Sequence, residues 1–339
     1  MTAEPNGYYT MQTFPAPALS PAPARRPASM LSGIHDAVLI YNPTAGSRRS
    51  ARRKRLAAAQ KILATHKIET ELKPTSGPGD ATLLARMAVE QRRHLVILSG
   101  GDGTLNEAVN GLAGSQVPLA LLPSGTANVL GKELSLPWDI PRAAELIAGS
   151  TLRRIAIGQV ISPNSPLRPR YFICVGGAGP DGAMIHKVGV EAKRRLGILA
   201  YWLEGARMAF TYRYPAYRVV TPELSLEAIV LIVGRTKHYG GPVRITTRAS
   251  ILDNQFEVMA SLPRSRWRQM LELSAVFGGR LRKVRGVYFW KTSSVRVEPL
   301  SDSEPIYAQV DGEEFGSLPV EFRIVPDALT LAIPPSARL

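Results

Sequence analysis

The chain has 339 residues, 45% of them hydrophobic, and a formal net charge of +15. That length suggests two domains, and the composition is that of a globular protein. A single cysteine, Cys174, excludes an intrachain disulfide and a cysteine-based metal site and fits a reducing cytoplasm, and no apolar run is long enough to span a bilayer. The five histidines show no ligand spacing. So strong a positive charge favours polyanionic partners: nucleic acid, an anionic membrane or phosphorylated ligands. No nucleic-acid-binding module is recognisable, so the expectation is no nucleic acid.

Residues 1–33 are rich in Pro and Ala, lack the apolar core of a signal peptide and read as a disordered tail, with Met30 a second candidate start. Ala37–Tyr41 is the first clear strand. It runs into the turn Asn42-Pro43-Thr44-Ala45-Gly46-Ser47 and then a basic helix that extends to about His66. Most of that helix's arginines suit a solvated face; Arg48, Arg49 and Arg52, nearest the turn, are placed to clamp phosphate. A strand at Ile68–Leu72, a loop at Thr75–Asp80 and a helix at Ala81–Glu90 follow.

Leu95–Leu98 then leads into Ser99-Gly100-Gly101-Asp102-Gly103-Thr104-Leu105-Asn106-Glu107. Leu105, Ala108, Val109 and Leu112 have helical spacing, so this reads as strand, glycine turn, helix N-terminus. Such a turn offers bare backbone N–H groups and a positive helix end to a phosphate. Asp102 inside it is repulsive to phosphate unless a cation such as Mg²⁺ lies between. Alone, the stretch is equally an ordinary strand-to-helix turn with an acidic cap. Val117–Leu122 ends in a third loop of the same kind, Pro123-Ser124-Gly125-Thr126-Ala127-Asn128. Three such loops on successive βα units are expected to gather at the carboxyl ends of the strands, where open α/β sheets bind ligands.

After a short helix at Arg142–Ile147 the character changes at Ser150. Strand-like segments at 153–160, 171–176, 217–220, 226–233, 242–247, 256–261, 285–290, 294–298, 306–310 and 320–324 predict a mostly antiparallel β domain. A helix over 192–210 is expected to interrupt it, with a basic outer face and, as the functional alternative, a membrane-facing one. Gly176–Gly182 is a turn carrying Asp181, and Val310-Asp311-Gly312-Glu313 is a hairpin signal carrying two acids.

Together Asn42-Pro43-Thr44-Ala45-Gly46, Gly100–Thr104 with Asn106-Glu107, and Pro123–Asn128 occur in the order and spacing of the diacylglycerol kinase catalytic domain. The chain resembles that family from about residue 36 onward. Bacterial lipid kinases and the sphingosine and ceramide kinases share it. The resemblance implies an α/β protein of two domains, a Rossmann-like N-terminal nucleotide domain and a C-terminal β-sandwich. The expected division is a tail at 1–33, the nucleotide domain at 34–150, the lipid-substrate sandwich at 151–325, and a segment at 326–339 that returns to the first domain.

The resemblance further implies ATP in the interdomain cleft with Mg²⁺. Asn42, Pro43, Gly46, Arg48, Arg52, Thr75, Gly100, Gly101, Gly103, Thr104, Glu107, Gly125, Thr126 and Asn128 would hold the nucleotide. Asp102 would act near the phosphates and their Mg²⁺. Asp311 would be the general base on a lipid hydroxyl, with Glu313 beside it, and Asp181 would lie near the lipid headgroup. The implied partners are a lipid substrate and, peripherally, an anionic membrane; a homodimer is compatible with the sequence.

Three positions depart from the family pattern. Val129 stands where an acid often follows the third loop's asparagine. Leu252-Asp253-Asn254 replaces an Asp-Asp-Gly that supports a structural metal in some members. Ser47 stands where some relatives have lysine. Two other functions remain open at this point: an NAD kinase-like enzyme with a soluble substrate, and a non-catalytic lipid- or nucleotide-binding protein.

Overall fold

The computed structural model describes residues 12–13, 29–31, 33–45, 49–163, 167–187, 207–208, 211–240, 243–263, 265–301 and 304–339. The chain opens with β1 (Gln12–Thr13) and β2 (Ser29–Met30), then alternates through β3 (Asp36–Tyr41), α1 (Arg49–Thr65), β4 (Glu69–Pro74), α2 (Asp80–Glu90), β5 (Leu95–Gly100) and α3 (Asp102–Leu112). β6 (Leu119–Pro123), α4 (Val129–Glu133) and α5 (Ile140–Ala148) complete the series.

Strands β4, β3, β5 and β6 lie side by side in that order, all parallel. Both faces of β3, β5 and β6 are covered, which is why their sequences are near-continuous apolar runs, whereas the edge strand β4 is polar and half-exposed. Ala37, Leu39, Leu95 and Ile97 pack with Leu56, Ala59 and Leu63 of α1 and with Ala143, Ala144 and Ile147 of α5. Val38, Ile40, Val96 and Leu98 pack with Ala81, Ala85 and Ala88 of α2 and with Leu105, Ala108 and Leu112 of α3.

The second half contains β7 (Thr151–Ile161), β8 (Arg170–Phe172), β9 (Val175–Ala178), α6 (Pro180–Lys187), β10 (Tyr217–Val220), β11 (Leu224–Ala228) and β12 (Val230–Gly234). There follow β13 (His238–Gly240), β14 (Val243–Arg244), β15 (Phe256–Ser261), α7 (Arg266–Phe277), a 3₁₀ turn at Leu281–Lys283, and β16 (Val287–Thr292). The last elements are β17 (Ser294–Pro299), β18 (Tyr307–Val310), β19 (Glu313–Ser317) and β20 (Val320–Ile333). One sheet, of six strands, runs β16-β15-β12-β9-β18-β19; the other contains β11-β10-β17-β20 with β7 and β8. Between them Phe172 stacks on Phe256, centroids 5.7 Å apart, and meets Phe322 edge-on at 6.0 Å.

Strand β20 belongs to both halves. Its first residues pair with β17, it runs antiparallel to β7, and Leu331 pairs in parallel with Leu119 of β6. The α/β sheet and one sheet of the sandwich are therefore continuous.

Several sequence expectations change. The 226–233 run is two strands in different sheets, β11 and β12, with Ile229 at the crossing. The 171–176 run likewise breaks at Ile173 and Cys174 between β8 and β9. The residues at each crossing, Ala228-Ile229-Val230 and Phe172-Ile173-Cys174-Val175, are apolar, so no turn residue marks the break. The 176–182 turn continues into helix α6, and α7 lies where no helix is expected. Within the tail, β1 pairs with β11 and β2 with β7, and Leu31 is buried against the α1–α5 side of the sheet. The helix anticipated at 192–210 lies almost wholly outside the described residues.

At the Leu252-Asp253-Asn254 departure, a side-chain cation gathers the backbone. Arg235 is fully buried, and its guanidinium donates to the carbonyls of Ala156 (2.7 Å), Ile251 (2.6 Å), Gln255 (3.2 Å) and Asp253. Burial lowers its pKa to about 10, which leaves it charged at neutral pH.

Candidate active site

The three polar loops leave the carboxyl ends of neighbouring parallel strands, and they touch. The Asn42 amide N–H donates to the Ser99 carbonyl at 3.0 Å, Thr75 N to Tyr41 O at 2.9 Å, and Ser124 N to Gly100 O at 3.2 Å. Asn42 Oδ1 accepts from the Thr44 backbone and hydroxyl, both at 2.8 Å, while its amide reaches Thr104 Oγ1 at 3.5 Å. Gly101 and Gly125 face each other so closely that a Cβ on Gly125 would lie 2.4 Å from the Gly101 Cα. Bare backbone is the only structure that fits there.

Asp102 opens α3 and also serves the third loop. Its Oδ1 accepts from Val129 N at 2.7 Å, at the start of α4. Asn128, in the left-handed region at φ 43°, turns the chain into that helix and donates to Gly125 O at 3.2 Å. The acid is thus a helix cap as well as a charge among the loops. Burial raises its pKa, against the Val129 amide, and the nearby Asp311 raises it further.

Asp311 comes from the other half of the molecule. It sits in the left-handed region at φ 50°, in the hairpin between β18 and β19. The break between β8 and β9 leaves three successive N–H groups pointing at it. Oδ2 accepts from Ile173 N (2.9 Å) and the Asn106 side-chain amide (3.0 Å); Oδ1 accepts from Cys174 N (2.9 Å) and Val175 N (3.0 Å). A carboxylate has about four lone-pair sites, and here all four are used. Burial nonetheless pushes its pKa up, with these four donors opposing. Glu313 lies over the first turn of α3, its Oε1 2.9 Å from where a Cβ on Gly103 would be. That position is favourable for an anion at a helix N-terminus.

The two halves are held in register by α3. Asn106 and Asn110 are four residues apart and share a face. Both donate to the Tyr171 carbonyl, at 3.0 and 2.9 Å, and Tyr171 N donates back to Asn110 Oδ1 at 2.9 Å. A second tie joins α4 to β13: buried Glu133 accepts from Lys237 N at 3.1 Å and from His238 Nδ1 at 2.9 Å. Arg244 Nε donates to His238 Nε2 at 3.1 Å, which assigns the proton to Nδ1.

Asp181, at the start of α6, is buried. It accepts from the Tyr239 hydroxyl and from Gln309 Nε2 (2.7 Å), and Gln309 Oε1 accepts from Gly312 N at 2.8 Å. Asp181 is therefore linked through one glutamine to the Asp311 hairpin. Burial raises its pKa to about 6, with the Tyr239 and Gln309 bonds opposing.

Two residues expected to hold nucleotide have other tasks. Glu107 accepts from Gly79 N (2.9 Å) and Ala81 N (3.1 Å), capping α2 from the neighbouring helix. Arg52 is buried and donates to the Asn42 carbonyl at 2.8 Å, bracing the first loop. Pro43 and Thr75 line the loop ends, and Thr126 is exposed. Gly46 and Arg48 lie outside the described residues, as does Ser47. Sequence reasoning passed over Asn106 as a site residue, together with the Ile173–Val175 amides, Tyr239 and Gln309. The recurrence of asparagine at 106 and 110 was the one available signal. Among the described residues no cluster of three His, Cys, Asp or Glu side chains is arranged to hold a metal, and no helix is long and apolar enough to cross a membrane.

The model of the diacylglycerol kinase catalytic domain matches residues 36–160, and that of the YegS C-terminal NAD kinase β-sandwich-like domain matches 176–333. A diacylglycerol kinase of Bacillus subtilis (strain 168) is 31% identical over 84% of this chain and 91% of its own. The chain belongs to the diacylglycerol kinase family. A diacylglycerol kinase of Staphylococcus saprophyticus is 28% identical over 84% of this chain and 90% of its own. A crystal structure of a diacylglycerol kinase from Bacillus anthracis has the same fold, with a TM-score of 0.72 at 21% identity over 90% of this chain and 99% of that one. As a family member the chain is an enzyme, a kinase.

Proposed function

We propose that this kinase transfers the γ-phosphate of ATP to a hydroxyl group of a diacylglycerol-like or sphingoid lipid in the cleft between its halves. One observation carries the reading: the Asp311 carboxylate of the sandwich is bonded to Asn106 on the helix that opens with the glycine turn. Phosphoryl transfer needs a place for the phosphates, charge neutralisation and a proton acceptor for the attacking hydroxyl. The facing Gly101 and Gly125 backbones and the N-terminus of α3 suit the phosphates.

Burial and the nearby Asp311 both raise the cost of ionising Asp102, a cost that a divalent cation would relieve. When bound with the nucleotide, Mg²⁺ would neutralise phosphate charge, with Asp102 as the residue nearest to hold it. Asp311 is the proposed proton acceptor, and Glu313 stands beside the first turn of α3. Because all four acceptor positions of Asp311 are filled, it accepts a proton only when one donor yields. Asn106 is the single side-chain donor, and its amide also bonds the Tyr171 carbonyl. The same saturation favours a second reading of the base, in which Asp102 takes the proton and Asp311 remains a fixed anion.

Asp181 is proposed to stand on the headgroup side through Tyr239 and Gln309. Peripheral contact with an anionic membrane suits the net charge of +15. The test is turnover of labelled ATP with a panel of lipids, the product identified by mass spectrometry, and with NAD as a competing acceptor. Label on diacylglycerol or a sphingoid base is expected. Label on NAD and no lipid would give the NAD kinase-like reading instead, for which the matched sandwich family's shared fold is the argument.

A further inference from the structure

Helix α7 shows an unusual surface. Its inner side is anchored by Glu272, whose Oε2 accepts from the buried Ser261 hydroxyl at 2.6 Å, and by Val276 against the core. Its outer side carries Trp267, Leu271 and Phe277, exposed by 70%, 50% and 58%. Of the ten large apolar side chains that the described residues leave exposed, four are on this 12-residue helix. Lone exposed apolar residues need no explanation, but a contiguous group does.

The charge around the helix is one-sided. Residues 264–285 contain seven Lys and Arg and one acid, Glu272, which is turned inward. Arg268 on the helix and Arg280, Lys283 and Arg285 just beyond it are exposed. An aromatic and aliphatic face rimmed by arginine and lysine is the composition of a helix that lies in the headgroup layer of an anionic membrane. A two-fold contact with a second copy would instead set the two basic rims against each other. The helix also has a direct route to the site. It packs on β14, β14 pairs with β13, and Tyr239 of β13 donates to Asp181.

We propose that α7 docks this kinase on an anionic lipid bilayer, with Trp267, Leu271 and Phe277 inserted and the flanking basic residues on lipid phosphates. The proposal deepens the lipid kinase reading and rests on it for its purpose, because docking on α7 brings the Asp181 side of the cleft to the surface that holds the acceptor.

The test uses the full chain and vesicles of phosphatidylcholine alone or mixed with phosphatidylglycerol. The wild type is expected to co-sediment with the anionic vesicles and much less with the neutral ones. The variant Trp267→Ser/Leu271→Ser/Phe277→Ser should bind the anionic vesicles about tenfold or more weakly, and Arg268→Glu/Lys283→Glu should lose the preference for anionic lipid. The emission lost in Trp267→Phe, relative to wild type, should be the part quenched by brominated lipid. Turnover of a short-chain, water-soluble diacylglycerol should be unchanged in every variant. Undiminished binding by the triple variant overturns the proposal. So does a wild-type dimer that the triple variant dissociates with no change in vesicle binding. If neither protein phosphorylates the soluble diacylglycerol, the kinase reading fails, while vesicle binding still decides the role of α7.

Discussion

The side-chain amide of Asn106 donates to Asp311 Oδ2 at 3.0 Å, joining residues 205 positions apart in the sequence. One residue belongs to the helix that opens with the glycine turn, the other to a hairpin of the sandwich. Their bond makes the geometry of the site depend on both halves of the chain at once.

Asn106→Ala should move the acid limb of the kcat/KM profile to higher pH. The amide stabilises the ionised form of Asp311, so its loss raises that pKa and leaves less of the proposed base deprotonated at low pH. A profile recorded for wild type and variant checks this. An unmoved acid limb together with a lowered plateau would point to Asp102 as the group that titrates.

Asp311→Asn should lower turnover by about 10²–10⁴-fold and also destabilise the fold. A carboxamide must turn N–H groups toward donors at one end, where Cys174 and Val175 or Ile173 and Asn106 now bond oxygen. Leaving such donors unpaired costs about 1–3 kcal/mol. Asp102→Asn should lose activity without that penalty, because its remaining carbonyl can still accept from Val129 N. Thermal unfolding beside the kinase assay separates the two.

Gly125→Ala should abolish nucleotide binding or stability rather than tune it. The added Cβ would meet the Gly101 Cα at 2.4 Å, a backbone atom with no side chain to move aside. Overpacking of this kind costs about 1–3 kcal/mol or more. Calorimetric titration with ATP, run alongside unfolding, gives the readout.

Asp181→Asn should become progressively stabilising relative to wild type as pH rises. The folded pKa of Asp181 is about 6 against an ordinary 3.8, so the native state binds the extra proton between those values. Wild-type stability therefore falls as pH rises through that window and is level above it. The full difference is about 3 kcal/mol. Melting temperatures of both proteins at pH 4 and pH 7 check the sign.

The fold was largely legible because its physical causes are local. Strands β3, β5 and β6 are apolar throughout since helices cover both faces, and each ends in a loop whose glycines and hydroxyls are conspicuous. The site was legible only in its loops. Nothing in Tyr171-Phe172-Ile173-Cys174-Val175 distinguishes one long strand from two short ones, so the three amides that hold Asp311 could not be foreseen. Glu107 shows the opposite difficulty: a carboxylate within the glycine-loop motif does its work on the backbone of the neighbouring helix α2. Helix α7 was hidden because its exposed side is as apolar as its buried one, which blurs the helical period.

Strand β20 sets the order in which the molecule becomes whole. The partner of Leu119 is Leu331, more than two hundred residues downstream, so the sheet that carries the three polar loops stays open at one edge until the ribosome has made nearly everything between them. The nascent α/β half emerges with β6 unpaired on that side and without Asp311. A chain halted midway through synthesis would thus carry the glycine loops but neither the closing strand nor the acid that bonds Asn106.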